Sequence, residues 1–359
     1  MIVEGVHRCI NCMSKMKNEK KCRKCGYVQG EYHPSSCWLI PGTVLIQRYV
    51  IGKVLGEGND GMVYLAWDQV LEMPVAIKEY FPMDCVSQEK LRGNHPDISI
   101  SNEKEFEKRM RHFLREAKFL CRFHSLESVI SILNLFYANQ TAYIVMEYIQ
   151  GETLQEYVDR KGAIPAEETL ALMRPFLLTL SEIHKTGLIH RDISPDNLLY
   201  DKKRKKLWLI DFGCAQIQNE TLSGEMVVSF KPGYSPPEQY RENGKQGPRT
   251  DLYAVGAVMY FMLTGREPVD AVERMIGKKL KSLEEYGDLF ISQNQKKGIM
   301  KAMAIKPENR FENVEQFMAE LNEMTISEKD SWKKYLPAIL VMVAVTIFVL
   351  LWYVRKRRK

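Results

Sequence analysis

The chain opens without an apolar run. MIVEGVHRCINC has no hydrophobic stretch of the kind a secretory leader needs, so no signal peptide is expected. The body also lacks a positive excess. The formal net charge is +6, from 51 Lys and Arg against 45 Asp and Glu. Residues 1–33 hold seven basic and three acidic side chains and residues 326–359 hold eight and two, which leaves the 292 residues between them at −4. A basic nucleic-acid groove in the body therefore has no electrostatic support. Hydrophobic residues are not scarce: at 45% of the chain, with charges of both signs, they exclude a disordered protein. The glycine cluster GEGNDGMVY lacks the G-K-[ST] ending of a P-loop. The length suits one large domain of two lobes with small appendages.

Eight cysteines are present, and four of them are paired by spacing. Cys9-x2-Cys12 and Cys22-x2-Cys25 stand nine residues apart. Each pair can place two thiolates on one tetrahedral ion from a tight knuckle, and together they complete a closed four-sulfur zinc site with no open position for catalysis. Gly26 follows the last of them, as a knuckle turn prefers. Disulfides would need an oxidising compartment, for which there is no secretory signal. Residues 1–33 are thus expected to form a zinc-ribbon-like module. Its Lys15, Lys17, Lys20, Lys21, Arg23 and Lys24 read either as a solvated face or as a contact for nucleic acid or acidic lipid. Cys37, Cys85, Cys121 and Cys214 are dispersed and read as ordinary thiols.

Residues 336–354, LPAILVMVAVTIFVLLWYV, carry no charge and one clearly polar side chain, Thr346. As a helix they would span about 28 Å, close to the hydrocarbon thickness of a bilayer. Trp352 and Tyr353 stand at one edge, where amphipathic rings favour the interface. A transmembrane helix is expected at 336–354, after a juxtamembrane linker at 325–335 and before a basic tail at 355–359. Lipid is the expected partner of 336–359.

Between these ends the pattern becomes regular. Residues 49–55, YVIGKVL, read as a strand, followed by Gly56, Gly58 and Gly61, then Val63, and then the strands LAWD and PVAIKEY. A G-x-G-x-x-G is weak by itself. Here a strand follows it rather than a helix, which excludes the dinucleotide-binding reading. Lys78, in VAIK, comes 17 residues after Gly61. His190-Arg191-Asp192 with Asn197, then Asp211-Phe212-Gly213, then Pro236-Pro237-Glu238 follow in order. In this order and spacing the chain resembles a bacterial eukaryotic-type serine/threonine protein kinase over about residues 42–324.

The resemblance implies an α+β, two-lobed protein kinase fold. Residues 34–48 form the linker and domain start, the kinase domain covers 49–324, the N-lobe runs to about 149 and the C-lobe covers 150–324. It also implies ATP with Mg2+ or Mn2+. Phosphoryl transfer asks mainly for positioning and charge neutralisation. Gly56, Gly58 and Gly61 would let backbone amides approach the phosphates. Lys78 would hold phosphate oxygens, oriented by a carboxylate on a helix over 101–124. Glu116 in LREAKFL is the choice, with Glu105 three turns earlier the runner-up. Asn197 and Asp211 would ligate the metal, and Asp192 would position the substrate hydroxyl and accept its proton. Residues 143–149 read as a strand entering the hinge, with adenine bonding backbone at Glu147 and Ile149, Met146 behind it, and Val63, Ala76 and Leu199 around the ring. Asp251 would brace the catalytic loop and Glu238 would pair with Arg310. Residues 166–185 read as an amphipathic helix kinked at Pro175, and SQEKLRGNHPD as an inserted or disordered segment. An ATP-using body must be cytoplasmic, which would put the basic tail outside, although Lys and Arg alone favour the cytoplasmic side. With five residues after the apolar segment, no sizeable extracellular sensor is expected.

Three positions depart from the family pattern. HRDISPDN has Ser194 where such kinases carry lysine two residues after the aspartate, and FKPGYSPPE has Lys231 where they carry threonine. The expectation is an exchange: Lys231 reaches back toward Asp192, and Ser194 bonds to it. The bland alternative is an exposed Lys231 and a slower enzyme. Asp60 stands at the tip of the glycine loop, where an aromatic is common. Arg191 is expected to meet phosphate on the segment 214–235, at Thr221, Ser223 or Ser229, placed there by autophosphorylation within a homodimer. The substrates would be proteins bearing serine or threonine. A second reading is a catalytically silent kinase-fold scaffold that binds partners through the zinc module. A third makes that module a nucleic-acid reader.

Overall fold

The structure is a computed structural model that describes residues 8–16, 19–35, 37–58, 61–86, 97–217, 230–241, 244–287 and 289–322. The apolar segment 336–354, the tail 355–359, Asp60, most of SQEKLRGNHPD and the three activation-segment hydroxyls lie outside the described residues. Among the described residues no helix is long and apolar enough to cross a membrane.

The smaller lobe is a six-stranded sheet with one helix against it. Strands β1 (Val44–Leu45), β2 (Tyr49–Gly58), β3 (Gly61–Asp68), β4 (Met73–Tyr80), β5 (Ile132–Ala138) and β6 (Thr141–Glu147) stand in the order β1-β2-β3-β4-β6-β5, all antiparallel. The β-branched and aromatic residues of these runs suit a pleated, half-buried surface. β1 lies in the stretch 34–48 expected to be linker and domain start. The helix α1 (Glu103–Arg122) is capped by the Asn102 side chain, which accepts from the Glu105 amide at 3.3 Å. Its buried stripe includes Phe106, Phe113, Glu116, Ala117, Phe119 and Leu120, a spacing that puts a carboxylate on the apolar face.

The larger lobe is mainly helical: α2 (Leu154–Lys161), α3 (Ala166–Lys185), α4 (Pro248–Thr264), α5 (Ala271–Met275), α6 (Gln293–Ala302) and α7 (Val314–Asn322). α3 runs through Pro175 as one helix. α4 is apolar nearly all round and is buried along almost its whole length, the behaviour of a central core helix. A Cβ at Gly256 would stand 3.0 Å from Ala302 and Met303, so this glycine lets α4 and α6 approach closely. Short strands β7 (Glu152–Thr153), β9 (Leu198–Asp201) and β10 (Lys206–Leu209) form one small sheet. β8 (Leu188–Ile189) pairs with β11 (Gln216–Ile217) in another. The α+β, two-lobed expectation therefore holds.

Candidate active site

Adjacent strands bring the sequence-predicted residues to one cleft. Lys78 sits on β4, opposite Val63 on β3 and Ile144 on β6. Its Nζ donates to both carboxylate oxygens of Glu116, at 2.8 and 2.7 Å. Glu116, not Glu105, is thus the partner. The reason is geometric, since Glu116 is on the buried stripe of α1 while Glu105 is only half-buried in its first turn and lies near Lys108. Burial pushes the Glu116 carboxyl up to about 7, against the pull of Lys78. Lys78 Nζ also lies 3.7 Å from Asp211 Oδ2.

Asp211 is held by the Gly213 amide, which donates to its Oδ1 at 2.7 Å. Phe212 turns inward, fully buried, with His190 at 4.8 Å and Phe123 at 6.1 Å between ring centroids. Asn197 Nδ2 donates to the Asp192 carbonyl at 2.8 Å and to Asp192 Oδ2 at 3.0 Å. That leaves the amide oxygen of Asn197 as its atom for a metal. The two aspartates are pushed in opposite directions. Burial raises Asp192 above the ordinary carboxylate value, with Lys231 and His190 opposing. Burial acts on Asp211 in the same sense, but Lys78 and the Gly213 amide prevail and hold it below that value. Carboxylates driven apart in this way suit different tasks, a proton acceptor and a metal ligand.

The loop carrying Asp192 is braced from below. Buried Asp251 on α4 accepts from the amides of His190 and Arg191 at 2.8 and 2.7 Å, and His184 Nε2 lies 2.8 Å from it. Arg191 occupies the left-handed region at φ 70°, a conformation that costs free energy and persists only where surroundings enforce it. Its Nη1 donates to Gln216 at 2.5 Å, and its buried Nε has no partner among the described residues. Arg310, fully buried, makes a two-pronged pair with Glu238 at 2.6 and 3.1 Å.

Lys231 crosses to the catalytic loop. Its Nζ donates to Ser194 Oγ at 2.9 Å and to Asp196 Oδ2 at 3.0 Å. The Ser194 contact is the one read from the sequence. Asp196 was missed, and the direct ion pair is with Asp196 rather than Asp192. A carboxylate two residues beyond Ser194 was the available signal.

Around the expected nucleotide position, Ala76 and Met146 are buried, while Val63 and Leu199 are half-buried. Glu147 ends β6 opposite Val75, and its amide donates to the Ser131 carbonyl at 2.9 Å. Ile149 is buried, and its carbonyl accepts from Gly151. Gly61 has φ 158° and a Cβ there would fall 1.8 Å from the Glu79 carbonyl, so no other residue fits.

The four N-terminal cysteines also converge. Their sulfurs lie within 4.8 Å of one another, with Cys9 to Cys25 at 3.6 Å and Cys12 to Cys22 at 3.7 Å. A tetrahedral ion with Zn–S bonds of about 2.3 Å sets sulfurs about 3.8 Å apart, so the cluster fits one zinc. Each knuckle closes on a left-handed residue, Met13 at φ 57° and Gly26 at φ 75°. Burial opposes a Cys22 thiolate, but the Ser14 hydroxyl and the amides of Cys25 and Lys24 bring it down to about 6. Lys15, Lys20, Lys21, Arg23 and Lys24 are exposed, and Arg23 pairs with Glu19.

Comparison with known proteins agrees with this geometry. The protein kinase domain family matches residues 49–337. The serine/threonine-protein kinase PrkC of Bacillus subtilis is 32% identical over 321 residues, covering 84% of this chain and 46% of its own length. The serine/threonine-protein kinase pkn3 of Myxococcus xanthus is 29% identical over 297 residues, covering 78% of this chain and 50% of its own. The solved PpkA-294 apo form is 32% identical with a TM-score of 0.68, covering 80% of this chain and all of that one. The chain spans about half the length of the curated relatives it matches.

Proposed function

The chain belongs to the protein kinase domain family, and from that premise we propose that it transfers the γ-phosphate of ATP to serine and threonine hydroxyls of proteins. The observation that carries this reading is the shared cleft of a Lys78–Glu116 ion pair and two aspartates shifted in opposite directions. Lys78 would hold phosphate oxygens, with Glu116 keeping its side chain in place. Asn197 and Asp211 are the residues for Mg2+ or Mn2+, whose charge would neutralise the transferring phosphate. Asp192 would take the proton of the attacking hydroxyl, for which its raised pKa suits it. Lys231, bridging Ser194 and Asp196, would supply the cation that the loop otherwise lacks.

The same reading assigns a structural zinc to Cys9, Cys12, Cys22 and Cys25. The support is the sulfur spacing and the amides and hydroxyl aimed at Cys22. It places the apolar run 336–354 in the cell membrane as a single pass, with the catalytic lobes cytoplasmic. The pass rests on the composition of the run, and the side of the lobes on their use of ATP. A homodimer would serve autophosphorylation of the activation segment.

The test is transfer of radiolabelled phosphate from ATP by the full chain beside Asp192→Asn, with the labelled residue identified. Transfer to serine or threonine, lost in Asp192→Asn, supports the reading. ATP binding without transfer would favour a silent scaffold.

A further inference from the structure

β2 carries Gly56 and Gly58, two of the three glycines expected to lie over the phosphates, and its outer edge is poorly served by the sheet. β1 pairs only with Tyr49 and Val50. Beyond them the β2–β3 register shifts twice, between Ile51 and Val54 and between Val54 and Gly56. Such bulges leave backbone groups without a ladder partner. The N-terminal module and its linker take up these groups. The Lys53 amide donates to the Ile10 carbonyl at 3.0 Å, and the Val54 amide to the Tyr32 hydroxyl at 3.0 Å. Trp38 Nε1 donates to Glu57 at 2.5 Å, between Gly56 and Gly58, and its ring stacks on Tyr32. At Gly52 an added Cβ would fall 2.0 Å from Met13 Cε and 2.7 Å from the Ile10 carbonyl. Only glycine lets the module come this close.

Ile10 lies between Cys9 and Cys12, and Met13 directly follows Cys12. Both contacts are therefore set by the first cysteine knuckle. The module has little core of its own: Cys9, Met13 and Cys22 are its buried hydrophobic residues among those described. A segment this small would hold its shape through a metal on Cys9, Cys12, Cys22 and Cys25.

We propose that the four-cysteine module is a clamp on the glycine-rich strand, so that its metal-dependent fold sets how tightly the cleft holds nucleotide. Tyr32 and Trp38 are its positioning residues. The proposal rests on the kinase reading above only for the identity of the nucleotide.

The experiment uses the full chain with zinc, the same chain after a zinc-selective chelator in excess magnesium, and the variants Tyr32→Phe, Trp38→Phe and Gly52→Ala. Two quantities are read: amide hydrogen exchange over residues 50–58, and the dissociation constant of a fluorescent ATP analogue. Tyr32→Phe removes one hydrogen bond and should weaken nucleotide binding about 2- to 10-fold, with kcat within about 2-fold, while exchange at residues 53–57 quickens. Zinc removal should produce a larger change of the same kind. Unchanged exchange and unchanged affinity after both zinc removal and Tyr32→Phe would overturn the clamp. A wild-type chain that binds no ATP would instead overturn the kinase reading, and the exchange measurement would then decide the clamp by itself.

Discussion

Replacing Lys231 by threonine removes the ammonium that joins the activation segment to the catalytic loop. The perturbation is local, because Nζ has two partners, Ser194 Oγ at 2.9 Å and Asp196 Oδ2 at 3.0 Å. At an effective dielectric of about 20, unit charges about 5 Å apart interact by about 3 kcal/mol. Lys231 is 31% exposed and shared with Asp196, so roughly half of that should reach the transition state. A loss of about 1.5 kcal/mol lowers kcat about 10-fold. The KM for ATP should move less than about 3-fold, since the nucleotide is held from the other side of the cleft by Lys78. Ser194→Lys alone sets a second ammonium beside the first and should also slow turnover. The double variant Ser194→Lys/Lys231→Thr moves the cation to the other side of the same contact and should recover most of the rate. The assay is steady-state phosphate transfer for all four proteins, read as a double-mutant cycle with a coupling energy of about 1 kcal/mol or more. Wild-type kcat in Lys231→Thr, or a double variant no faster than either single one, would refute the exchange.

Turnover should fall as pH drops through about 7, because Glu116 protonates there and releases Lys78; Glu116→Gln should erase that limb of the kcat/KM profile for ATP. The same upward shift, from 4.5 to about 7, makes ionised Glu116 a stability cost that appears as pH rises across that window, and thermal melts over that range should show it. Arg310→Ala strands buried Glu238 and should cost about 3–5 kcal/mol in denaturant unfolding. Elemental analysis should find one zinc per chain, lost in Cys22→Ser. Mass spectrometry of active enzyme should find phosphate within residues 214–235, and its absence there would sink the autophosphorylation expectation.

The chemistry-bearing residues were legible because they are punctuated by glycine and by short polar motifs of fixed order. Lys78, Asp192, Asn197 and Asp211 could be named from spacing, and Glu116 from the apolar residues beside it. Gly52 was a missed signal: a glycine inside an apolar strand marks the close approach of another backbone, here that of Ile10. Asp196 was passed over because an exposed carboxylate in a loop has no pattern until its partner, 35 residues away in sequence, is placed.

By itself the sequence determined which groups are candidates for the chemistry, since nucleophile activation, metal ligation and phosphate contact each demand particular residue types in local motifs. It also determined the cysteine knuckles, whose paired thiols are neighbours along the chain. Only the tertiary structure decided how the pieces lean on one another. Lys231 turns to Asp196, and the cysteine module seats on the bulged edge of β2. The physical reason is that these contacts join segments distant in sequence, and their partners are chosen by which backbone and side-chain groups folding leaves unsatisfied.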